Sequence, residues 1–182
     1  MTPGTSPVAV RQPDATVGVV AAGPGVARVR LSDALRLVST AVTLADADDG
    51  RGVAAGVVDG TGELVAFLRS ESAPLRAVRI AVMKAYTAAR FGRETAAVAK
   101  TLQESGRTLA EYGDRSFTAL PGGVPLTDGR GRVVGGLGVS GRAPEEDHAL
   151  AVAVLVKGQR GTPAAGTTGR DVTVAETGEI PR

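Results

Sequence analysis

The sequence predicts an α/β fold in which an antiparallel sheet of about five strands carries helices on both faces. Two observations indicate this class. Two segments place a glycine-containing turn between apolar runs, which is typical of hairpins. Three or four further segments show helical periodicity. With 182 residues, 43% of them hydrophobic, the chain is long enough to bury one core of this kind.

The first helix is predicted over residues 31–48, with Ser32 placed to cap its N-terminus. Its apolar face recurs at helical spacing. That face consists of Leu35, Val38, Val42 and Ala45. The next segment, 53–69, reads VAAGVVDGTGELVAFLR and predicts a hairpin, because DGTGE separates two apolar runs. We therefore expect the chain to reverse direction at this turn.

An alanine-rich segment from Pro74 to about Lys100 predicts a helix that is broken near Phe91 and Gly92. Residues 101–120 show no single helical or strand periodicity. We expect short helical turns there, and then a brief strand over 117–120.

A second hairpin is predicted over 123–139, where GVPL and VVGGLGV flank the turn TDGRGR. Residues 143–157 predict a closing helix with acidic residues in its first turn. The glycines inside the last strand weaken it unless something needs the space. They indicate that a helix or a ligand approaches the backbone closely.

Composition limits the remaining possibilities. Residues 1–30 are predicted to be a flexible leader and 158–182 a flexible tail, on either side of one domain at 31–157. The net charge is only +2, the basic residues are scattered and aromatic residues make up 3%, so we expect no nucleic-acid partner. No apolar stretch is long enough for a membrane span, and the leader lacks a basic segment before its apolar stretch. We expect a cytoplasmic protein.

The absence of cysteine excludes disulfides, thiolate metal sites and thiol catalysis. The high content of alanine, glycine and arginine suits a GC-rich bacterial genome. That inference concerns the source and does not bear on the activity.

Five motifs occur in unbroken order between about Leu31 and Lys157: VVDGTGELVAFLR, SAP, KAYTAARFGRET, GGVPL and VVGGLGVSGRAPEED. In these motifs the sequence resembles the GlcG/HbpS-like family, also called haem-degrading-domain-like. The family includes a glycolate-utilisation accessory protein, a secreted haem-binding sensor and the C-terminal domain of corrinoid adenosyltransferases. The resemblance implies an antiparallel sheet between helices, homo-oligomers from dimers to octamers, and binding of haem or a corrinoid-like molecule.

If haem is the cofactor, it needs an axial ligand, ordinarily histidine, methionine, tyrosine or cysteine. His148 is the sole histidine and follows Asp147 in the predicted closing helix. It is the candidate metal ligand, although the family pattern does not require a histidine there and a solvated position on the helix is the simpler interpretation. Met83, Tyr86 and Tyr112 are the other residues considered, the first two in a helix predicted to be packed.

Three charged residues within or next to the motifs indicate either a ligand pocket or an ion network. Arg69 ends a predicted strand, Glu71 follows in the loop, and Lys84 lies in the KAYTA helix. Arg69 is suited to binding a carboxylate. As catalytic residues, Glu71 or Asp147 is suited to move a proton if burial raises its pKa, with Arg69 or Lys84 as the electrophilic group that holds the substrate. In the alternative interpretation, Arg69, Glu71 and Lys84 only connect helix to hairpin, or subunit to subunit.

Gly122, Gly123, Ser140 and Gly141 are the predicted ligand-binding positions of the glycine-rich segment. Backbone N–H groups near Ser140 are available to an anion, and glycine lets a backbone approach a ligand or a neighbouring helix. Ser140 is alternatively placed to cap the closing helix. A serine nucleophile is disfavoured because the G-x-S-x-G frame is missing and the only histidine is eight positions on. The EEDH run is interpreted as helix capping, because neighbouring residues on a helix point in different directions.

The resemblance, taken with these residues, implies a homo-oligomeric small-molecule-binding protein whose function is to bind haem or another tetrapyrrole as an accessory protein. The alternative is a cofactor-free acid–base enzyme such as an isomerase, cyclase or lyase. A purely structural partner protein is a third hypothesis. The pocket is expected between the glycine-rich hairpin, the KAYTA helix and the loop at 69–71, at a subunit interface.

Overall fold

Four antiparallel strands form the central sheet of the computed structural model, which describes residues 19–22 and 26–160. A separate two-stranded hairpin precedes them. The strands are β1 (Val19–Ala22), β2 (Val26–Val29), β3 (Ala54–Asp59), β4 (Leu64–Arg69), β5 (Gly123–Thr127) and β6 (Val133–Ser140). Their order across the central sheet is β4-β3-β6-β5. The predicted α/β class is confirmed, with four strands in the sheet instead of about five.

The described residues also form four α-helices and one 3₁₀ helix. The α-helices are α1 (Leu31–Asp46), α2 (Leu75–Phe91), α3 (Thr95–Ser105) and α4 (Pro144–Arg160), and the 3₁₀ helix is Leu109–Tyr112. Helices α1 and α4 pack on one face of the sheet, while α2 packs across β3, β5 and β6 on the other. Helices therefore cover both faces, as predicted. None of the described helices is long and apolar enough to cross a membrane.

The prediction for helix α1 was wrong in two details. Its buried face is displaced from the predicted one and leaves Leu35 48% exposed. The buried apolar residues of α1 are Ala34, Leu37, Val38, Ala41 and Ala45. The contacts with α4 and the sheet determine this face, and periodicity alone does not reveal them. Ser32 lies inside the helix, which begins without any side-chain cap.

The strand predicted over 117–120 does not form. The backbone N–H of Thr118 instead donates a hydrogen bond of 2.9 Å to the hydroxyl oxygen of Thr87 on α2. A side-chain hydrogen bond to a helix thus replaces the pairing that a strand would need. The helix break after Phe91, both central hairpins and the closing helix lie where they were predicted.

The predicted leader, residues 1–30, contains the β1–β2 hairpin in its described part. Val29 at the end of this hairpin is buried in the main core, and the Arg28 guanidinium lies 3.5 Å from the carboxylate of Asp59. These contacts attach the hairpin to the sheet. The remainder of the leader, and the tail beyond residue 160, lie outside the described residues.

The two turns of the central sheet share one hydrogen-bond pattern, centred on Asp59 and Asp128. Asp59 Oδ1 accepts the backbone N–H groups two and four positions later, at 2.9 and 3.2 Å. Asp128 Oδ1 accepts the equivalent pair, both at 2.9 Å. The aspartate side chain therefore organises each DGxGx turn and helps to set the register of the two strands that it joins.

The glycines of β6 allow α2 to lie directly on the sheet. A Cβ atom at Gly136 would overlap the carbonyl oxygen of Ala85, and one at Gly138 would overlap that of Ala81. The side of α2 that faces them carries alanines, so neither surface holds the backbones apart. At these two positions the close approach predicted from the glycines is made by a helix.

We expect Gly138→Ala to lower the free energy of unfolding by about 2–3 kcal/mol, because the new methyl group must displace the α2 backbone. Gly56→Ala is the matched control. Gly56 pairs with Gly138 in the sheet, but a Cβ there would meet only side chains, at 3.4 Å or more. Its effect should stay within about 0.5 kcal/mol. Urea denaturation measures both, and equal losses in the two variants would contradict this account of the packing.

Candidate functional site

The most buried ion pair of the described residues joins α2 to α4. Lys84 Nζ donates a hydrogen bond of 2.7 Å to Asp147 Oδ2 and one of 2.9 Å to the carbonyl oxygen of Val139. The two charged side chains are 2% and 3% exposed. Two of the predicted catalytic residues therefore meet, although their pairing was not predicted.

The acidic first turn of α4 supplies one member of this pair and also closes the helix N-terminus. Asp147 Oδ1 accepts the backbone N–H of Arg142 at 3.0 Å, and a Glu146 carboxylate oxygen accepts that of Ala143 at 3.1 Å. This is the reach-back geometry of an N-terminal capping interaction. The predicted capping role of the acidic run is therefore present, while Ser140 ends β6 and does not belong to this cap.

Burial opposes the charge on both partners. It raises the pKa of Asp147, an effect that the hydrogen bond and charge of Lys84 counteract. It lowers the pKa of Lys84, and Asp147 counteracts that effect in turn. Both carboxylate oxygens and two of the three Nζ donors already have protein partners. The arrangement is suited to a structural connection between helices, and a catalytic role for these two residues stays a prediction.

The predicted ligand-binding glycines lie against protein backbone or against the ion pair. A Cβ at Gly122, whose φ is +120°, would lie 2.8 Å from Lys84 Nζ. One at Gly123 would overlap the carbonyl oxygen of Lys84, and one at Gly141 would lie 2.5 Å from that of Gly52. Glycine is required at these positions for packing within the chain, and a contact with ligand stays a prediction for them.

Arg69 and Glu71 are exposed, and neither contributes to the ion pair. Within the part of the chain that the structure describes, they form no ion pair with each other or with Lys84. Arg69 and the buried Ser140 pair with opposite sides of Ala54, so two strand spacings, about 10 Å, separate their backbones. The described residues therefore do not form the predicted network of Arg69, Glu71 and Lys84.

His148 lies on α4, with its side chain 28% exposed. Its Nε2 atom is 3.7 Å from a carboxylate oxygen of Glu94, and its Nδ1 atom is buried without a hydrogen-bond partner among the described residues. No hydrogen bond joins His148 to Ser140 there, so the two do not form a nucleophile–base pair. The described residues contain no cluster of three or more histidine, aspartate or glutamate side chains that could hold a metal ion.

Four of the five aromatic residues of the chain form one cluster, which the sequence patterns did not predict. Tyr86 and Phe91 come from α2, Tyr112 from the 3₁₀ helix, and Phe117 from the loop that follows. The ring centroids of the contacting pairs lie 5.0–6.2 Å apart, mostly edge-to-face. No local periodicity could reveal a cluster built from three separate segments.

A cavity of about 370 Å³, here called the 109–117 pocket, borders this cluster. It is lined by Leu109, Ala110, Gly113, Asp114, Arg115 and Phe117. Asp114 holds its loop in place, because it accepts hydrogen bonds from the Ser116 N–H at 2.8 Å and from the Tyr86 hydroxyl at 2.7 Å. These two bonds lower the pKa of Asp114, the Ser116 bond more strongly. The pocket wall is therefore connected to α2.

The family model described as haem degrading protein HbpS-like matches residues 29–156. The chain belongs to the HbpS-like family. The membership predicted from the five motifs is thereby confirmed, and the match includes both central hairpins, α1 to α3 and most of α4.

Solved structures of HbpS-like proteins agree with the fold. A double variant of HbpS from Streptomyces reticuli is 28% identical, with a TM-score of 0.65 over 85% of this chain and 98% of that one. PduOC, solved as a haem complex, is 26% identical, with a TM-score of 0.64 over 71% and 94%. Protein ORFY of Klebsiella pneumoniae, at 21% identity and a TM-score of 0.67 over 79% and 99%, shares the fold. No curated protein matches the chain.

The donors of this HbpS-like chain fit haem at an exposed site. Tyr112 is 46% exposed, whereas Met83 is half-buried and the Tyr86 hydroxyl is engaged by Asp114. His148 Nε2 lies 3.7 Å from a carboxylate oxygen of Glu94, and its Nδ1 atom is buried. Tyrosine is an established axial ligand of haem. The donor set is therefore compatible with haem, and Tyr112 is its most accessible member.

We expect Lys84→Met and Asp147→Asn each to lower the free energy of unfolding by about 3 kcal/mol, because each leaves a buried charge unpaired. Asparagine keeps an oxygen for the Arg142 N–H. The double variant Lys84→Met/Asp147→Asn should recover at least half of the summed loss, since neither charge remains. Urea denaturation of the four proteins gives the coupling energy. Strictly additive losses would show that the two side chains do not stabilise each other.

Proposed function

We propose that this HbpS-like chain is a binding protein for haem or a closely related tetrapyrrole. The observation that carries the proposal is the exposed Tyr112 within the aromatic cluster, which joins a potential iron ligand to apolar rings. Membership of the HbpS-like family supports it, as does the similarity to PduOC, whose structure is a haem complex. A flat apolar macrocycle packs favourably against aromatic rings.

The burial of the Lys84–Asp147 ion pair disfavours the alternative function, that of an acid–base enzyme. A general acid or base must come within hydrogen-bond reach of the reacting group. Lys84 and Asp147 are almost completely buried and are satisfied by each other and by backbone. Glu71 is exposed and forms no ion pair with any described residue. Binding without catalysis therefore requires no rearrangement of the ion pair, whereas catalysis by Lys84 or Asp147 would require the pair to open.

The chain's own residues divide the work of binding. Tyr112 would hold the iron through its phenolic oxygen. Phe91, whose ring lies 5.1 Å away edge-to-face, supports the Tyr112 ring from α2. The Tyr86–Asp114 hydrogen bond holds the neighbouring loop. When bound, haem supplies an iron centre for redox chemistry or for binding a small ligand. The surrounding protein governs how far water reaches that centre.

Assembly into a homo-oligomer is part of this proposal. Four leucines on α1 and β4 are 40–58% exposed, and these two elements are neighbours at one side of the sheet. They are Leu31, Leu35, Leu64 and Leu68. Because β4 is also an edge strand, its exposed apolar side chains favour association with a second surface. Size-exclusion chromatography tests whether the protein forms a homo-oligomer. The cytoplasmic location stays a separate prediction.

A haem titration followed by absorbance tests the function itself. Wild-type protein should show a saturable Soret shift at one haem per chain. Tyr112→Phe removes the phenolic oxygen and keeps the ring, so it should weaken haem binding at least tenfold and change the Soret position. His148→Ala should bind as the wild type does.

Two other outcomes would change the proposal. Loss of binding in His148→Ala alone would transfer ligation to His148 and keep the function. The absence of any stoichiometric shift in the wild type would refute haem binding.

A further inference from the structure

We infer that the 109–117 pocket binds the carboxylate-bearing edge of a planar ring ligand, with Phe117 packed against the ring and Arg115 paired with a carboxylate. The inference rests on the proposed function and adds the location of the site and the ligand class.

Phe117 is the central member of the aromatic cluster and is also a wall of the pocket. Its ring centroid lies 5.4 Å from that of Tyr86, 5.0 Å from that of Phe91 and 6.2 Å from that of Tyr112. Three rings therefore fix its orientation before any ligand arrives. A ring held in this way provides a rigid apolar surface at little entropic cost, which favours a flat partner.

Arg115 provides the uncompensated charge of the pocket. It is exposed, and it forms no hydrogen bond or ion pair within the part of the chain that the structure describes. Asp114 is the other charged lining residue, but the Ser116 N–H and the Tyr86 hydroxyl already engage its oxygens. Arg90 adds further positive charge near Asp114. A free guanidinium beside an apolar wall selects a carboxylate, which it can bind with two parallel hydrogen bonds.

The pocket is already formed, so binding needs no loop closure. The N–H of Gly113 donates to the carbonyl oxygen of Ala110 at 3.1 Å, which ends the 3₁₀ helix at the pocket wall. Farther along the loop, Thr118 is attached to Thr87 on α2 by a hydrogen bond of 2.9 Å. With Asp114 bonded to Tyr86, the loop is fixed on both sides of Phe117. Such preorganisation lowers the entropic cost of binding.

The size of the pocket limits what enters it. Its volume of about 370 Å³ lies at the low end of small-molecule sites, which span about 300–1,000 Å³. We therefore expect it to hold one edge of a tetrapyrrole and leave the opposite edge outside. A second cavity of about 60 Å³, lined in part by Phe91 and Tyr112, has room for about two water molecules and not for a ring.

Three ligands separate the contributions of the iron, the ring and the carboxylates to binding. They are haem, metal-free protoporphyrin and the dimethyl ester of protoporphyrin. Metal-free protoporphyrin keeps the ring and both carboxylates but needs no iron ligand, whereas the ester lacks the charges. We expect Arg115→Ala to weaken protoporphyrin binding about tenfold and to leave ester binding unchanged. Phe117→Ala should weaken the binding of both about tenfold, because it removes the ring surface. The change in porphyrin fluorescence on binding measures the affinities for protoporphyrin and for its ester.

Matched variants guard against indirect effects. Arg76→Ala removes an exposed arginine from the opposite end of α2 and should change nothing. Phe67→Ala removes the one aromatic side chain outside the cluster, so it reports the general cost of losing a phenylalanine. If Phe117→Ala is too unstable to assay, Phe117→Leu keeps the apolar volume and should still weaken binding severalfold.

Distinct results overturn the inference and the proposed function. If haem binds to the wild type but Arg115→Ala and Phe117→Ala bind protoporphyrin normally, the inference fails and the proposed function stands. If Arg69→Ala loses protoporphyrin binding and Arg115→Ala keeps it, the carboxylate is bound at Arg69 on β4, as predicted from the sequence, and the inference is wrong. Equal affinity of the wild type for acid and ester would also refute the Arg115 contact. If neither haem nor protoporphyrin binds, both statements are wrong.

Discussion

The direct contact between α2 and β6 is the constraint on which the rest of the structure depends. Gly136 and Gly138 leave no side chain between the strand and the carbonyl oxygens of α2, so the helix has one depth and one rotation on the sheet. That placement determines where every other side chain of α2 can reach. Lys84 extends beyond the start of β5 to Asp147 on α4, while Tyr86 and Phe91 lie near the C-terminal end of the helix, beside the loop that carries Phe117.

One helix thus carries two kinds of chemistry that do not overlap. The charged group is buried, satisfied and directed at α4, where it connects two helices from opposite faces of the sheet. The aromatic groups lie towards the surface and border a preformed pocket, where the Arg115 guanidinium has no partner among the described residues. Buried ion pairs of this kind are costly to break, whereas exposed aromatic surfaces are typical of binding sites. We therefore assign structure to the first and recognition to the second.

Local sequence patterns predicted most of the fold but not the arrangement of the site. The DGxGx turns, the alanine-rich helix and the glycine-rich strand are encoded by neighbouring residues, so the hairpins and helices could be predicted. Lys84 and Asp147 were each recognised as candidates, but they are 63 positions apart and their pairing depends on the assembled layers. The aromatic cluster was missed because its rings come from three segments, one of which was expected to be a strand. The face of α1 was misplaced because α4 determines it.

The central claim is that the ion pair is structural and the aromatic pocket binds the ligand. Its most direct test is a comparison of amide NMR spectra of the protein with and without a diamagnetic haem analogue such as gallium protoporphyrin. Backbone amide resonances report binding at every residue except proline, without the need for a variant. The account requires the changes to concentrate at residues 109–118 and in the last two turns of α2, with those of 122–123 and 139–148 unmoved. Changes centred on 122–123 and 139–148 would place the ligand at the ion pair and contradict the account.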